Sequence, residues 1–469
     1  MYRIHLGRGT FTLDTYPNGM CTHIFYAFAK FGDNFEVEPT DPEDLPSAHY
    51  EGTYATVTRL KDKDPSLKVL LSFGGYSFGG YLFGVGFSVL SENQMASTQH
   101  NRQTFINSAI NWLRKYNFDG IDIDWEYPSA NEKHTYVLFL YELSQAVEDE
   151  SRSTGRPRLL VTAALPAGQA IIDVGYDVGA FAPYLDYFLI MTYDYHGSWD
   201  MYTGNNSPLF ARQNQTDKTF CSSWSMDYYA QLGAPKEKII MGFANYGRGW
   251  TLKNAADYYI GAAASGPSPA YPYTQTAGVA AYFELCETLA MPNVLDIYSQ
   301  QQEVPYFVHG SEWMSYDDEE KNIKAEWVRR EGYGGGFVWT LDFDDFNGEC
   351  PGNVEDYPLT RTMANIFESG SPTSATTVTP SVTAATTAVS IVTTTASTPD
   401  FAPTTTTQAS TGPFQCPGVG LFADPANCNM FYQCIHGTPH HMRCPVGLAF
   451  NPSYMVCDYS SSTLCRNNS

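Results

Sequence analysis

Basic residues are scarce in this chain. Lys and Arg number 27 against 50 Asp and Glu over 469 residues, a formal charge of −23 with a pI of about 4.7. Nucleic acids and anionic membranes are held by basic patches, so this balance argues against both as partners. Long apolar runs are missing too, since none approaches the ~20 residues that span a bilayer. The start lacks the apolar stretch of a secretion signal: Met1-Tyr2-Arg3 leads into polar sequence. Around His196 no second ligand stands at metal-binding spacing. No metal and no cofactor are therefore expected, and the chain is expected to be a monomer.

What is present is a large apolar and aromatic fraction. Hydrophobic residues make up 43% and aromatics 15%, enough for a sizeable core. The length suggests two or three domains. Of the ten cysteines, six lie from Cys416 onward, the density of a disulfide scaffold made outside the cell. Asn214-Gln215-Thr216 is a glycosylation sequon and points the same way. These outward pointers conflict with the signal-less start. The expectation that reconciles them is an incomplete N-terminus.

The stretch from Phe118 to Pro128 alternates acidic with apolar residues. On an extended strand successive side chains face opposite ways. Asp122, Asp124 and Glu126 therefore share one face, ~7 Å apart at the backbone, and Ile121, Ile123 and Trp125 share the other. Like charges so placed raise the pKa of at least one member, which a general acid requires. A solvated acidic edge strand would show the same alternation, but seldom with such apolar partners. A calcium loop places its glycine and closing glutamate at other offsets.

Composition divides the chain in three: 1–370, 371–413 and 414–469. From Ser371 to Gly412 there are 16 Thr among 42 residues and one charge, Asp400. Such a stretch buries no core and reads as a disordered, O-glycosylated linker. Before it, seven strand-like runs alternate with helical spacing. They are Thr22 to Phe28, Lys68 to Phe73, Phe118 to Asp124, Leu159 to Ala164, Phe188 to Tyr193, Ile239 to Phe243 and Gly336 to Thr340. Helical spacing is clearest from Arg102 to Tyr116 and from Tyr136 to Glu148. This predicts an α/β fold, a (β/α)8 TIM barrel one strand short, with an inserted α+β subdomain roughly within 250–332. Chemistry in such barrels sits at the C-terminal ends of the strands. Polar and aromatic residues gather there: Ser72 to Tyr76, Glu126, Met191 to Asp194, Tyr246, Arg248 and Trp339.

At these residues the chain resembles glycoside hydrolase family 18, the chitinases and chitinase-like lectins, over nearly all of residues 2 to 367. Asp119, Asp122, Asp124 and Glu126 fit its D-x-x-D-x-D-x-E signature. Tyr26-Ala27-Phe28, Ser72 to Gly75, Met191 to Asp194, Tyr246-Gly247-Arg248 and Gly335 to Phe346 also match. The resemblance implies retaining hydrolysis of β-1,4-linked N-acetylglucosamine, with the sugar's own acetamido group as nucleophile. It casts Glu126 as general acid and base, Asp124 as partner of the acetamido N–H, Asp122 as its tuner, and Tyr193 as donor to the acetamido carbonyl. Met191, Asp194, Tyr246 and Arg248 would line the cleft, Trp339 would be its floor and Phe28 a wall. Asp119 reads as structural. The family usually has Trp where Tyr76 stands, which weakens stacking on the acceptor side; Trp199 could serve that side. The family's first barrel strand, with the partner of Cys21, precedes the match and is absent.

Beyond the linker, the six cysteines have intervals of 11, 5, 9, 12 and 7 residues, without the C-x2-C pair of a zinc site. With Gly420-Leu421-Phe422, Phe431-Tyr432 and Cys444 to Pro452 they resemble the peritrophin-A type chitin-binding domain, carbohydrate-binding module family 14. That family's pattern implies Cys416–Cys434, Cys428–Cys465 and Cys444–Cys457; Cys286 and Cys350 match a disulfide of the hydrolase family. Tyr432, Phe450 and Tyr459 are candidates for stacking on sugar and equally for the module's core. The whole reads as a secreted endo-chitinase whose partners are chitin and chito-oligosaccharides. A chitin-binding lectin without turnover is the alternative.

Overall fold

The computed structural model describes residues 7–76, 94–318, 323–352, 355–369, 414–415, 420–424, 427, 429–435, 438–443, 448–451 and 456–459. The chain divides into two compact units, 1–377 and 378–469.

In the first unit the strands are β1 (His23–Phe31), β2 (Val37–Pro39), β3 (Lys68–Gly74), β4 (Gly120–Asp124), β5 (Leu160–Pro166), β6 (Tyr187–Met191) and β7 (Ile239–Ala244). A second sheet follows with β8 (Tyr246–Leu252), β9 (Ala264–Pro267), β10 (Val279–Ala281), β11 (Leu295–Ser299), β12 (Val304–His309) and β13 (Glu312–Ser315), after which β14 (Gly335–Trp339) returns to the first. The first sheet runs β14-β7-β6-β5-β4-β3-β1-β2, parallel except for β2. Each of the seven predicted runs coincides with one of its parallel strands.

The strands' outward residues, among them Val69, Leu71, Ile121, Ile123, Val161 and Ile190, are fully buried under helices. The helix Gln99–Lys115 starts where the Thr98 side chain accepts from the Asn101 N–H, satisfying an end donor. It buries Phe105, Ile106, Ala109, Ile110 and Leu113, the 3.6-residue stripe the sequence displays. Phe105 packs edge-on against Phe31 and Phe73, a contact whose truncation to Ala costs about 3–5 kcal/mol. The helix Lys133–Thr154 stops at Gly155, whose φ of 70° lies in the left-handed region that glycine occupies freely.

β14 differs from its neighbour β7, which is buried throughout: all five of its residues are half-buried. The reason is topological, because among the described residues β14 pairs only with β7. On its far side it meets β1 through the rings of Trp339 and Phe28, 5.8 Å apart, with no ladder between them.

The second sheet, ordered β10-β8-β13-β12-β11 with β9 on β8, begins directly after β7 at Tyr246. Trp250, Leu252, Tyr306, Val308 and Trp313 give it a core of its own. Its helix Tyr282–Leu289 is tied by the disulfide Cys286–Cys350 to the loop after β14. Cys21 and Cys221 are free thiols.

The second unit holds β15 (Gly420–Ala423), β16 (Met430–Ile435) and β17 (Thr438–Arg443) as an antiparallel sheet, and β18 (Leu448–Asn451) with β19 (Val456–Tyr459) as a hairpin. The Tyr432 ring stacks against Phe414 at 3.9 Å and against His441 at 4.4 Å, both nearly parallel to it. Stacked on two rings of the module, Tyr432 belongs to its packing. The side chains of Phe450 and Tyr459, the segment 371–413 and the pairings of Cys416, Cys428, Cys434, Cys444, Cys457 and Cys465 lie outside the described residues. Among those residues no helix is long and apolar enough to cross a membrane.

Candidate active site

β4 is an interior strand, paired with β3 on one side and β5 on the other, which removes the solvated-edge reading of its acids. Register decides what each acid meets. Asp122 stands opposite Ser72 on β3 and Thr162 on β5. The Ser72 hydroxyl donates to one carboxylate oxygen at 2.8 Å and the Thr162 hydroxyl to the other at 2.7 Å. Two residues on, Asp124 stands opposite Gly74, which has no side chain to offer. Its Oδ1 is buried and has no hydrogen-bond partner.

This environment sets the protonation. Burial pushes Asp122 up to about 6, against the pull of its two hydroxyl donors. Asp124 lies well above the usual carboxylate range, through burial first and then the charges of Glu126 and Asp122. Glu126 is raised by burial, opposed by a hydrogen bond from the Tyr127 side chain and aided by the charge of Asp194. The cluster therefore retains protons at pH values where isolated carboxylates have lost them.

Asp194 follows β6 with φ 58°, and its carboxylate is held on three sides. The Tyr246 hydroxyl donates at 2.7 Å, and the Arg248 Nε and Nη2 each donate at 2.7 Å in a bidentate fork. Its own N–H donates to the Asn206 side chain, which in turn donates to the Tyr246 carbonyl. The Tyr193 ring packs between Tyr246 at 6.1 Å and Phe337 at 6.2 Å. Its hydroxyl is raised by burial and then by Tyr246, Asp124, Asp194 and Glu126, which places it among the acids. Met191 ends β6, half-buried. Phe28 packs beside Trp339, and Gly75 (φ 85°) makes room for it: a Cβ there would come within 2.6 Å of the Phe28 ring.

Two predicted residues stand farther out. Trp199 is 59% exposed and is linked to the site by the Arg248 guanidinium, 5.1 Å over its ring. Tyr76 is 85% exposed. Asp119 sits at the other end of the strand, where it accepts from the Val69 N–H and from Lys61, both at 2.8 Å. His196 pairs with Asp200 at 2.9 Å.

Hydroxyl-tuned acids at the mouth of a parallel barrel are the setting the sequence resemblance calls for, and comparison with known proteins agrees. Residues 3–344 match the glycosyl hydrolases family 18.

The chain belongs to glycosyl hydrolases family 18.

Residues 416–465 match the chitin binding peritrophin-A domain. A probable endochitinase of Caenorhabditis elegans is 43% identical over 98% of this chain and 75% of its own length. A Trichuris suis protein described as an immunomodulatory active chitinase superimposes with a TM-score of 0.73 at 40% identity, covering 78% of this chain and 96% of that one. Human YKL-39, described as a pseudo-chitinase with retained chitooligosaccharide binding, gives a TM-score of 0.71 at 34% identity over 77% and 95% of the two chains.

Within this family 18 site, sequence reasoning missed Tyr127 and Asn206. Tyr127 adjoins Glu126, and neighbours on a strand point apart; β4 ends at Asp124, so that rule lapses. Asn206 is a 1% exposed amide in a loop, where no periodic pattern marks it.

Proposed function

We propose that the chain is a secreted endo-chitinase that cleaves β-1,4-linked N-acetylglucosamine polymers by retaining, substrate-assisted catalysis, and that its C-terminal module holds it on chitin. The observation that carries this reading is the buried, unpartnered Oδ1 of Asp124. A buried acceptor left empty costs roughly 1–3 kcal/mol, and the N–H of a substrate acetamido group would satisfy it. Family 18 stands outside the two-carboxylate scheme of most glycosidases. Glu126 protonates the leaving glycosidic oxygen while the acetamido carbonyl oxygen attacks its own anomeric carbon. The C–O bond to the leaving sugar breaks and an oxazolinium ion forms. Asp124 accepts from its N–H, and the nearby negative charge stabilises the developing cation. Tyr193 donates to the acetamido oxygen and aligns it. Water then attacks the anomeric carbon, giving its proton to Glu126, while the bond from that carbon to the acetamido oxygen breaks and the free acetamido group is restored. Asp122 tunes Asp124, and Trp339 with Phe28 supplies the apolar floor. Secretion is supported by the Cys286–Cys350 disulfide, which suits an oxidising compartment.

The pseudo-chitinase relative favours a second reading, a lectin without turnover. Against it, Glu126, Asp124 and Tyr193 are all in place in this chain. Time-resolved NMR of chitohexaose cleavage tests the mechanism. The β-anomer should appear first and mutarotate later; α-anomer appearing first would refute retention.

A further inference from the structure

Exposed apolar side chains gather beside the acceptor rim. Trp199, Met201 and Tyr202 are 59%, 66% and 59% exposed, and Tyr258 and Tyr259 are 39% and 61% exposed. Backbone bonds hold the two segments together. Tyr202 pairs with Ala263 in an antiparallel bridge. The Ala264 N–H donates to the Met201 carbonyl, the Thr203 N–H to the Ala262 carbonyl and the Gly261 N–H to the Thr203 carbonyl, all at 2.8–2.9 Å. The Thr203 hydroxyl reaches the Tyr259 carbonyl at 3.1 Å. Two buried tryptophans pin the edge from below: Trp250 donates to the Asp200 carbonyl and Trp313 to the Tyr258 carbonyl.

Clustered exposed apolar residues mark binding sites, and these stand on two segments that the backbone bonds hold side by side. It is also continuous with the cleft, because Arg248 grips Asp194 and lies over Trp199. Three residues from Trp199 to Tyr202 span at most about 11 Å, so a chain resting on Trp199 reaches Tyr202 within a sugar or two. Aromatic faces suit the C–H faces of pyranose rings, and a neutral polymer is indifferent to the chain's charge of −23.

We propose that Met201, Tyr202 and Tyr259 form a further saccharide platform that carries the acceptor end of an N-acetylglucosamine chain beyond Trp199. The inference rests on the chitinase reading and extends it to substrate length: the platform favours long chains over short ones.

The test is calorimetric titration of chitohexaose and chitotriose into full-length protein carrying Glu126→Gln, so that nothing is consumed. Adding Tyr202→Ala and Tyr259→Ala should weaken hexaose binding about 3–10-fold more than triose binding, the range expected for lost aromatic contacts. Tyr202→Trp should retain or strengthen hexaose binding. An unchanged hexaose-to-triose ratio in the alanine variants overturns the platform. The same ratio with self-association lost on sedimentation assigns the patch to contact between copies and also overturns it. If the parent binds neither sugar, the chitinase reading fails, and the platform with it.

Discussion

Asp122 and Asp124 lie two residues apart on one face of a strand and differ in what stands beside them. Asp122 meets two hydroxyls, while Asp124 faces Gly74 and keeps a bare, buried oxygen. Because the folded pKa of Asp124 lies above the ~3.9 of an unfolded aspartate, its carboxyl favours folding below about pH 4. That advantage is lost as pH rises through the folded value. Asp124→Asn should therefore raise the melting temperature at pH 8 by roughly 2–5 °C, with the gain vanishing near pH 4 and activity largely lost. A melting temperature unchanged at pH 8 would show that the charge carries no such cost. Asp194 acts at a distance, since its charge helps hold the proton on Glu126. Removing it in Asp194→Asn should lower the Glu126 pKa and move the alkaline limb of the kcat/KM profile to lower pH. An unmoved limb would sever that link. The acids themselves were legible because they alternate on a strand. Their donors Ser72 and Thr162 emerge only from register, and Tyr127 and Asn206 only from the folded backbone.

The seven parallel strands were readable because each is a short run rich in apolar residues, bounded by polar or glycine-containing ends. β14 was readable by the same pattern, yet it is half-buried, because burial depends on neighbours that a strand's own sequence does not name. β6 stops at Met191, short of the predicted Tyr193, since Asp194 turns into the left-handed region. The second sheet begins at Tyr246, ahead of the insertion expected roughly within 250–332, so Tyr246 and Arg248 reach the cleft from β8. That sheet is fastened to the barrel side by Cys286–Cys350, which closes 64 residues of chain. Replacing both cysteines with alanine should cost roughly 2–4 kcal/mol, read as a lower midpoint in urea unfolding under non-reducing conditions. An unchanged midpoint would mean that packing alone secures the subdomain.

At the scale of the whole molecule, the chain couples a family 18 barrel to a small chitin-binding domain. A tether of this kind raises the local concentration of the catalyst at an insoluble polymer without adding any contact at the active site. Binding and turnover are then separable, and one carboxyl group separates them. General acid catalysis is worth about 10²–10⁴-fold, whereas chitin binding does not need that proton. The deciding measurement compares full-length protein with its Glu126→Gln variant on chitin beads, scoring both the protein retained and the soluble N-acetylglucosamine oligomers released. Both proteins should bind equally, with oligomers released by the unaltered chain and at least a hundredfold less by the variant. Equal release from both, or binding by the unaltered chain with no release at all, would contradict the account.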